Sequence, residues 1–279
     1  MPSRTILLTG ASDGIGAAAA RQLAARGHRL LLVGRSPDRT AAVAREIGAA
    51  HFVADFARLD DVRRLAREVS AATDRIDVLA NNAGALLGRR TVTVDGNEAT
   101  LQVNHLAPFL LTQLLLPRLL AGEGIVVSTA SSAARRLARF DIDDLGGDRS
   151  YSPSRAYGNA KLANILHARG LQSRYGRDGI RAVAFDPGNV RTSFARESTS
   201  ILRLVYRTPL ARLVLISAEQ GGTNLTWFAD GSPGTTWQPG TFYTERYPAT
   251  AAQTNPLVHD DALVDLLWER SEALVAARE

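Results

Sequence analysis

Residues 9–16 read TGASDGIG, between an apolar run, RTILL at 4–8, and an alanine-rich stretch, GAAAARQLAARG at 16–27. An apolar run that ends in glycines and resumes as a helix former predicts a strand, a tight turn and the start of a helix. Gly10 and Gly14 allow the turn and a close approach of backbone to a pyrophosphate, and Gly16 lets helix and strand pack. Ser12, Asp13 and Ile15 complete the turn, and the N–H groups that open the helix face the same space. A glycine-rich turn alone is as often a structural loop. Its position at the head of a strand–turn–helix unit makes it a candidate dinucleotide cradle.

Outward from this turn, short β-branched or leucine-rich runs alternate with helical stretches. HRLLLVG at 28–34 reads as a second strand, followed by a helix near Asp38–Ile47, the strand AHFVAD at 50–55 and a helix over 58–72. RIDVLANNAG ends a fourth strand, and a longer helix over about 97–120 leads to the strand GIVVSTAS at 124–131. A further helix carries Tyr157 and Lys161 into GIRAVAFDPG at 179–188. A loop-rich stretch, a last strand TFYT at 241–244 and an amphipathic helix from Asp260 close the chain. This alternation predicts right-handed crossovers and a doubly wound parallel sheet of about seven strands, helices on both faces, in a single domain over 1–279.

The second strand ends VGRSPD, where an adenosine ribose would lie. An acidic residue there suits the 2′-hydroxyl of NAD; Arg35 suits the 2′-phosphate of NADP by charge and fork geometry. Asp13 pulls the other way, so NADP(H) is the expected cofactor with NAD(H) still open. Asn82, Ala83 and Gly84 end the fourth strand, with an amide to bridge backbone across a cleft and two small residues to admit a ligand.

The chain holds 33 Lys plus Arg, and Lys161 is its only lysine. It stands four residues after Tyr157, on the same helix face. A phenol with a pKa near ~10 is a poor acid–base group at neutral pH unless its phenolate is stabilised, and an ammonium beside it does that.

Composition excludes several classes. With no cysteine there is no thiolate nucleophile, disulfide or thiolate metal site. The five histidines show no ligand spacing, and no serine sits in a nucleophile-elbow pattern. The net charge of +5 is spread as arginines along helix faces, with no basic block interleaved with aromatics, so nucleic acid is not an expected partner. No apolar run reaches membrane-spanning length, so the expected location is the cytoplasm, without membrane contact.

Taken in order, TGASDGIG, NNAG, VNHLAPFLLT, STASS, AYGNAKLANIL and DPGNVRT resemble the short-chain dehydrogenase/reductase family over essentially the whole chain, most closely its retinol-dehydrogenase-like branch. The resemblance implies a Rossmann fold and an NADP(H)-dependent oxidoreductase acting on a small, apolar carbonyl or secondary alcohol, with homo-oligomers allowed. It implies that Tyr157 is the proton donor and acceptor, and that Lys161 lowers its pKa and binds the nicotinamide ribose. Asn104 would hold a water in the proton relay. Pro187, Gly188, Val190 and Thr192 would border the nicotinamide, and Asp55 with Phe56 would meet the adenine. Ser132 is the expected catalytic serine, chosen over Ser131; Ser128 falls within the strand.

The chain departs from the branch at Ala107 and Pro108, where Gly and His are usual, and at Asp186, where His, Cys or Ser is common. Pro108 predicts a bend in the helix that carries Asn104. The segment around 189–216, rich in Leu, Ile and Val, would either cover an apolar substrate or simply pack on the sheet. A non-catalytic NAD(P)-binding regulator on the same fold is the alternative. Such proteins typically lose the Tyr or the Lys, and both are kept here.

Overall fold

The computed structural model of the chain describes residues 2–188 and 217–276. Val190, Thr192 and the segment 189–216 expected to cover the substrate lie outside the described residues.

The described residues build one eight-stranded sheet. Its strands are β1 (Thr5–Thr9), β2 (Arg29–Gly34), β3 (Ala50–Val53), β4 (Val78–Asn81), β5 (Ile125–Thr129), β6 (Arg181–Asp186), β7 (Phe242–Thr244) and β8 (Tyr247–Pro248). Their order is β3-β2-β1-β4-β5-β6-β7-β8, parallel as far as β7, and the two-residue β8 pairs antiparallel. The expected parallel sheet is present, with β8 as an addition: two residues carry no readable alternation. The strand order reverses between β1 and β4, and that switch point opens a crevice at the carboxyl ends of these strands.

Strand periodicity divides the core into two. Ile6, Leu8, Leu30 and Leu32 pack with α1 (Gly14–Ala25), α2 (Pro37–Ile47) and the helix Ala218–Asp230, here α8. Leu7, Leu31 and Val33 face α3 (Leu59–Ala72), α5 (Ala107–Leu120), α7 (Pro153–Tyr175) and α9 (Asp261–Val275). Alternate residues of one strand thus serve opposite layers, and the central strands read as continuous apolar runs for that reason. The alanines of α1 allow close packing on α8: a Cβ on Gly222 would come within 2.7 Å of the Ala18 Cβ.

The helix expected over 97–120 is three pieces. A single turn, α4 (Ala99–Leu101), runs into a π-helical turn at Gln102–Leu106 and then into α5. Pro108 takes the second position of α5, where its missing N–H costs little, so the expected bend is a wide turn placed just before the proline. Between β5 and α7 lies a short helix, α6 (Ala133–Arg136).

Candidate active site

The crevice at the switch point is a cleft of about 450 Å³. Gly10, Ser12, Asp13, Gly14, Ile15, Gly16, Arg35, Asp55, Phe56, Asn82, Ala83 and Gly84 all line it. Gly10 and Gly14 have φ of +68° and +53°, a backbone region that favours glycine. A Cβ on Gly10 would meet the Ala83 Cα at 2.9 Å, and one on Gly16 would overlap the Gly10 carbonyl oxygen and reach the Asn82 Nδ2 at 2.8 Å. Gly16 thus lets α1 approach the end of β1 closely, as the sequence suggested, and leaves room for Asn82.

Thr9 ties the two sides of the cleft together. Its hydroxyl donates to the Ala80 carbonyl (3.2 Å) and accepts from the N–H groups of Asn82 and Ala83, each at 3.0 Å. The Asn82 Nδ2 donates to the Thr9 carbonyl at 3.0 Å, which is the bridging expected of an amide here. The preceding Asn81 instead donates to Thr112 Oγ1 at 3.0 Å and anchors β4 on α5.

At the adenosine end, the Asp13 carboxylate caps α1 by accepting from the Gly14 N–H at 2.7 Å. It also pairs with Arg39, a lining residue that sequence reasoning missed. The signal was present, since Arg39 lies in the first turn of α2, four residues after Arg35, but nothing local separated it from the other surface arginines. Arg35 and Arg39 give this end two guanidinium groups, and the carboxylate that would favour NAD is engaged by one of them. Asp55 accepts from the Ala57 N–H at 3.0 Å, shaping the turn that places the buried Phe56 against the cleft.

The cleft meets the second group of candidates at Gly84. A Cβ built there would lie 2.6 Å from the Asn104 Oδ1 and 3.1 Å from the Lys161 Nζ. Asn104 is buried and its side chain is committed: Nδ2 donates to the carbonyls of Ala85 and Thr100, each at 2.8 Å, and Oδ1 accepts from the Ala85 N–H at 3.2 Å. It clamps the loop that follows β4 to the π-helical turn.

Lys161 is only 2% exposed. Its Nζ donates to the Thr129 carbonyl (3.1 Å) at the end of β5 and lies 5.6 Å from the Tyr157 ring centre. Burial pulls its pKa down from 10.5 to about 8, and the Asp186 carboxylate opposes that fall. Among the three serines, Ser128 is buried within β5. Ser131 Oγ accepts from the Ala133 N–H at 3.2 Å, whereas the Ser132 side chain makes no cap bond to α6, whose N-cap it is. Pro187 and Gly188 follow β6; the Pro187 carbonyl accepts from Asn224 Nδ2 (3.1 Å) and the Gly188 N–H donates to Asp186 Oδ1 (3.0 Å).

A dinucleotide cradle at the switch point of a parallel sheet, ending at a buried lysine beside a tyrosine, defines a class of nucleotide-dependent oxidoreductases. The sequence profile of the short chain dehydrogenase family matches residues 4–201, and the chain belongs to that family, enzymes that interconvert CH–OH and C=O groups. It is 42% identical to a Streptomyces sp. (strain C5) protein named "Putative daunorubicin C-13 ketoreductase DnrU", over 99% of this chain and 93% of that one. Retinol dehydrogenase 11 of Mus musculus is 36% identical over 74% of this chain and 67% of its own, in keeping with the retinol-dehydrogenase-like reading. A solved Shigella flexneri 2a (strain 301) short chain dehydrogenase complexed with NADP matches with a TM-score of 0.68 and 26% identity, over 88% of this chain and 98% of that one. Among the described residues, no helix is long and apolar enough to cross a membrane, and no cluster of three His, Asp or Glu could hold a metal ion.

Proposed function

We propose that the chain is an NADP(H)-dependent oxidoreductase of a carbonyl/secondary alcohol pair, with Tyr157 as its acid–base group. The observation that carries this reading is the convergence at Gly84: the glycine that ends the dinucleotide cleft lies against the Lys161 ammonium, which in turn lies beside Tyr157. The cleft fits the cofactor on its own chemistry, because its lining offers glycines at the opening of α1, two guanidinium groups at Arg35 and Arg39, and the small residues Ala83 and Gly84. Gly10 through Gly16 would hold the pyrophosphate, Asp55 and Phe56 would meet the adenine, and Arg35 with Arg39 would take a 2′-phosphate. When bound, the nicotinamide supplies or accepts the hydride.

The remaining work falls to side chains of this chain. In the reductive direction Tyr157 gives its phenolic proton to the substrate oxygen, and Lys161 stabilises the phenolate left behind. Ser132 donates to the same oxygen; its freedom from capping supports it over Ser131. Asn104, clamped by Ala85, fixes the π-helical turn rather than offering an open amide, so a relay water would meet its backbone. Relatives named for daunorubicin and retinol support an apolar, ring-bearing substrate. The chain is read as one NAD(P)-binding domain.

A screen of apolar ketones, aldehydes and secondary alcohols with NADPH and NADH, on wild type and Tyr157→Phe, tests this. We expect turnover in the wild type and a loss of at least about a hundredfold in the variant, with NADPH affinity retained. Equal turnover in both would overturn the assignment.

A further inference from the structure

Gly158 and Asn159 lie between Tyr157 and Lys161 on α7, and each meets the chain that follows Ser132. Gly158 is buried inside the helix, where glycine is a poor helix former, and its φ is not positive. Space, and not conformation, therefore asks for glycine. A Cβ there would lie 2.7 Å from the Ala138 nitrogen, 2.8 Å from the Leu137 carbonyl carbon and 3.0 Å from the Ala133 oxygen, all of them backbone atoms. Asn159 closes on the next residue with both ends of its amide. Its Oδ1 accepts from the Arg139 N–H at 2.8 Å and its Nδ2 donates to the Arg139 carbonyl at 3.3 Å. Further along α7, Lys161 Nζ and Asn164 Nδ2 both donate to the Thr129 carbonyl, at 3.1 and 3.3 Å. The stretch from Thr129 to Arg139 is thus fastened to one helix at both of its ends. Ser132 lies between the fastenings, and Tyr157 is on the helix itself.

We infer that Gly158 and Asn159 are positioning residues: on the reading of Ser132 and Tyr157 given above, they set the spacing between the two groups that meet the substrate oxygen. Two donors carried by different elements converge on one oxygen only if those elements keep a fixed separation, and an error of about 1 Å can cost a hundredfold in rate. The serine moves with α6, because its own carbonyl accepts from the N–H groups of Arg135 and Arg136, each at 3.1 Å. A methyl group at 158 would push against backbone on all three contacts, so no side chain can turn aside to admit it. One of the two backbones must give way. α6 is also held by Asn255, whose Nδ2 donates to the Ala134 carbonyl at 2.9 Å, and α7 by its two bonds to Thr129. Any yielding therefore changes the distance between the serine and the tyrosine.

A double-mutant cycle tests this. Turnover and NADPH affinity are measured for Gly158→Ala and Asn159→Ala, each alone and combined with Ser132→Ala, with thermal melts as the folding control. Gly158→Ala should lower kcat about tenfold or more, and Asn159→Ala by less, with NADPH affinity kept within about twofold. In the Ser132→Ala background either change should add less than about twofold, because the hydroxyl whose place it alters is gone. The pH midpoint of kcat should stay where it is, since the bond from Lys161 to Thr129 is untouched. Wild-type kcat in the folded variants overturns the inference. So does an equal loss in both backgrounds, or a moved midpoint, which would route the effect through Lys161. If Gly158→Ala does not fold, Asn159→Ala, which adds no bulk, carries the same comparison. Loss of turnover in Ser132→Ala with unchanged Gly158 and Asn159 variants refutes the spacing role alone. Wild-type turnover in Ser132→Ala refutes the role read for the serine, and the spacing role falls with it.

Discussion

Lys161 is held where an ammonium is expensive. At neutral pH the folded protein must keep it charged in a place that burial would rather leave neutral. Its folded pKa lies below the unfolded value, so the penalty is fully present below about pH 8 and fades as pH rises towards 10.5. Lys161→Met removes the penalty and the function together. We expect activity to vanish while stability at pH 7 rises by about 1–3 kcal/mol, read by denaturant titration. A loss of stability would mean that the bond to the Thr129 carbonyl outweighs the cost of burial. At the adenosine end, Arg35→Ala should weaken NADPH binding about ten- to a hundredfold and leave NADH binding nearly unchanged. Arg39→Ala removes one partner of Asp13 and one guanidinium from this end, and should shift the preference further towards NADH. Fluorescence titration of both cofactors checks the pair of variants, and equal effects on the two cofactors would rule out 2′-phosphate recognition. Arg35 was readable from its place at a strand end. Arg39 was not, because its relevance depends on a helix bringing it back over the turn that holds Asp13.

At the scale of elements, α7 and the π-helical turn share a buried polar contact unrelated to the reaction. His105 and His167 lie 6.0 Å apart among Phe109 and Trp268, and burial holds both pKa values down, His105 to about 4 and His167 well below the usual imidazole value. His105 Nε2 is bonded with Ser271 Oγ of α9 at 2.8 Å, while His167 Nε2 has no hydrogen-bond partner among the described residues. Both rings are neutral when folded and charge on unfolding, so their contribution is complete above about pH 6.5 and is lost as pH falls towards 4. His105 alone should cost about 1.4 kcal/mol of stability between pH 8 and 5.5, and His167 adds to it in the same direction. His167→Phe should make that slope shallower in denaturant titrations at the two pH values, and an unchanged slope would exclude His167 as a contributor. Neither histidine was singled out from sequence, since their proximity arises only when α7 packs on the π-helical turn. The long strands and helices were legible because period-two and helical patterns each persist over several residues, as in β1 and β5. The π-helical turn was legible only as a bend at Pro108. Nothing in QVNHL specifies an i→i+5 turn, because Asn104 acquires its partner Ala85 from nineteen residues away in sequence.

Across the whole molecule, the cleft sits where the strand order turns back on itself, and its lining comes from two stretches of chain, 10–57 and 82–103. The glycine-rich turn could be read alone as a cradle, but its junction with Lys161 could not, because it needs the β4, β5 and β6 ends side by side. Positive charge outside that junction is carried by guanidinium groups, since the sequence has no other lysine. With its one ε-amine 2% exposed, the native protein presents its surface to acylating reagents as almost amine-free. A succinimidyl ester should therefore add one label, at the amino terminus, to the folded chain and a second only after unfolding, as intact mass will record. Fluorophores, cross-linkers and amine-reactive supports will accordingly leave the Lys161 amine untouched in the folded protein.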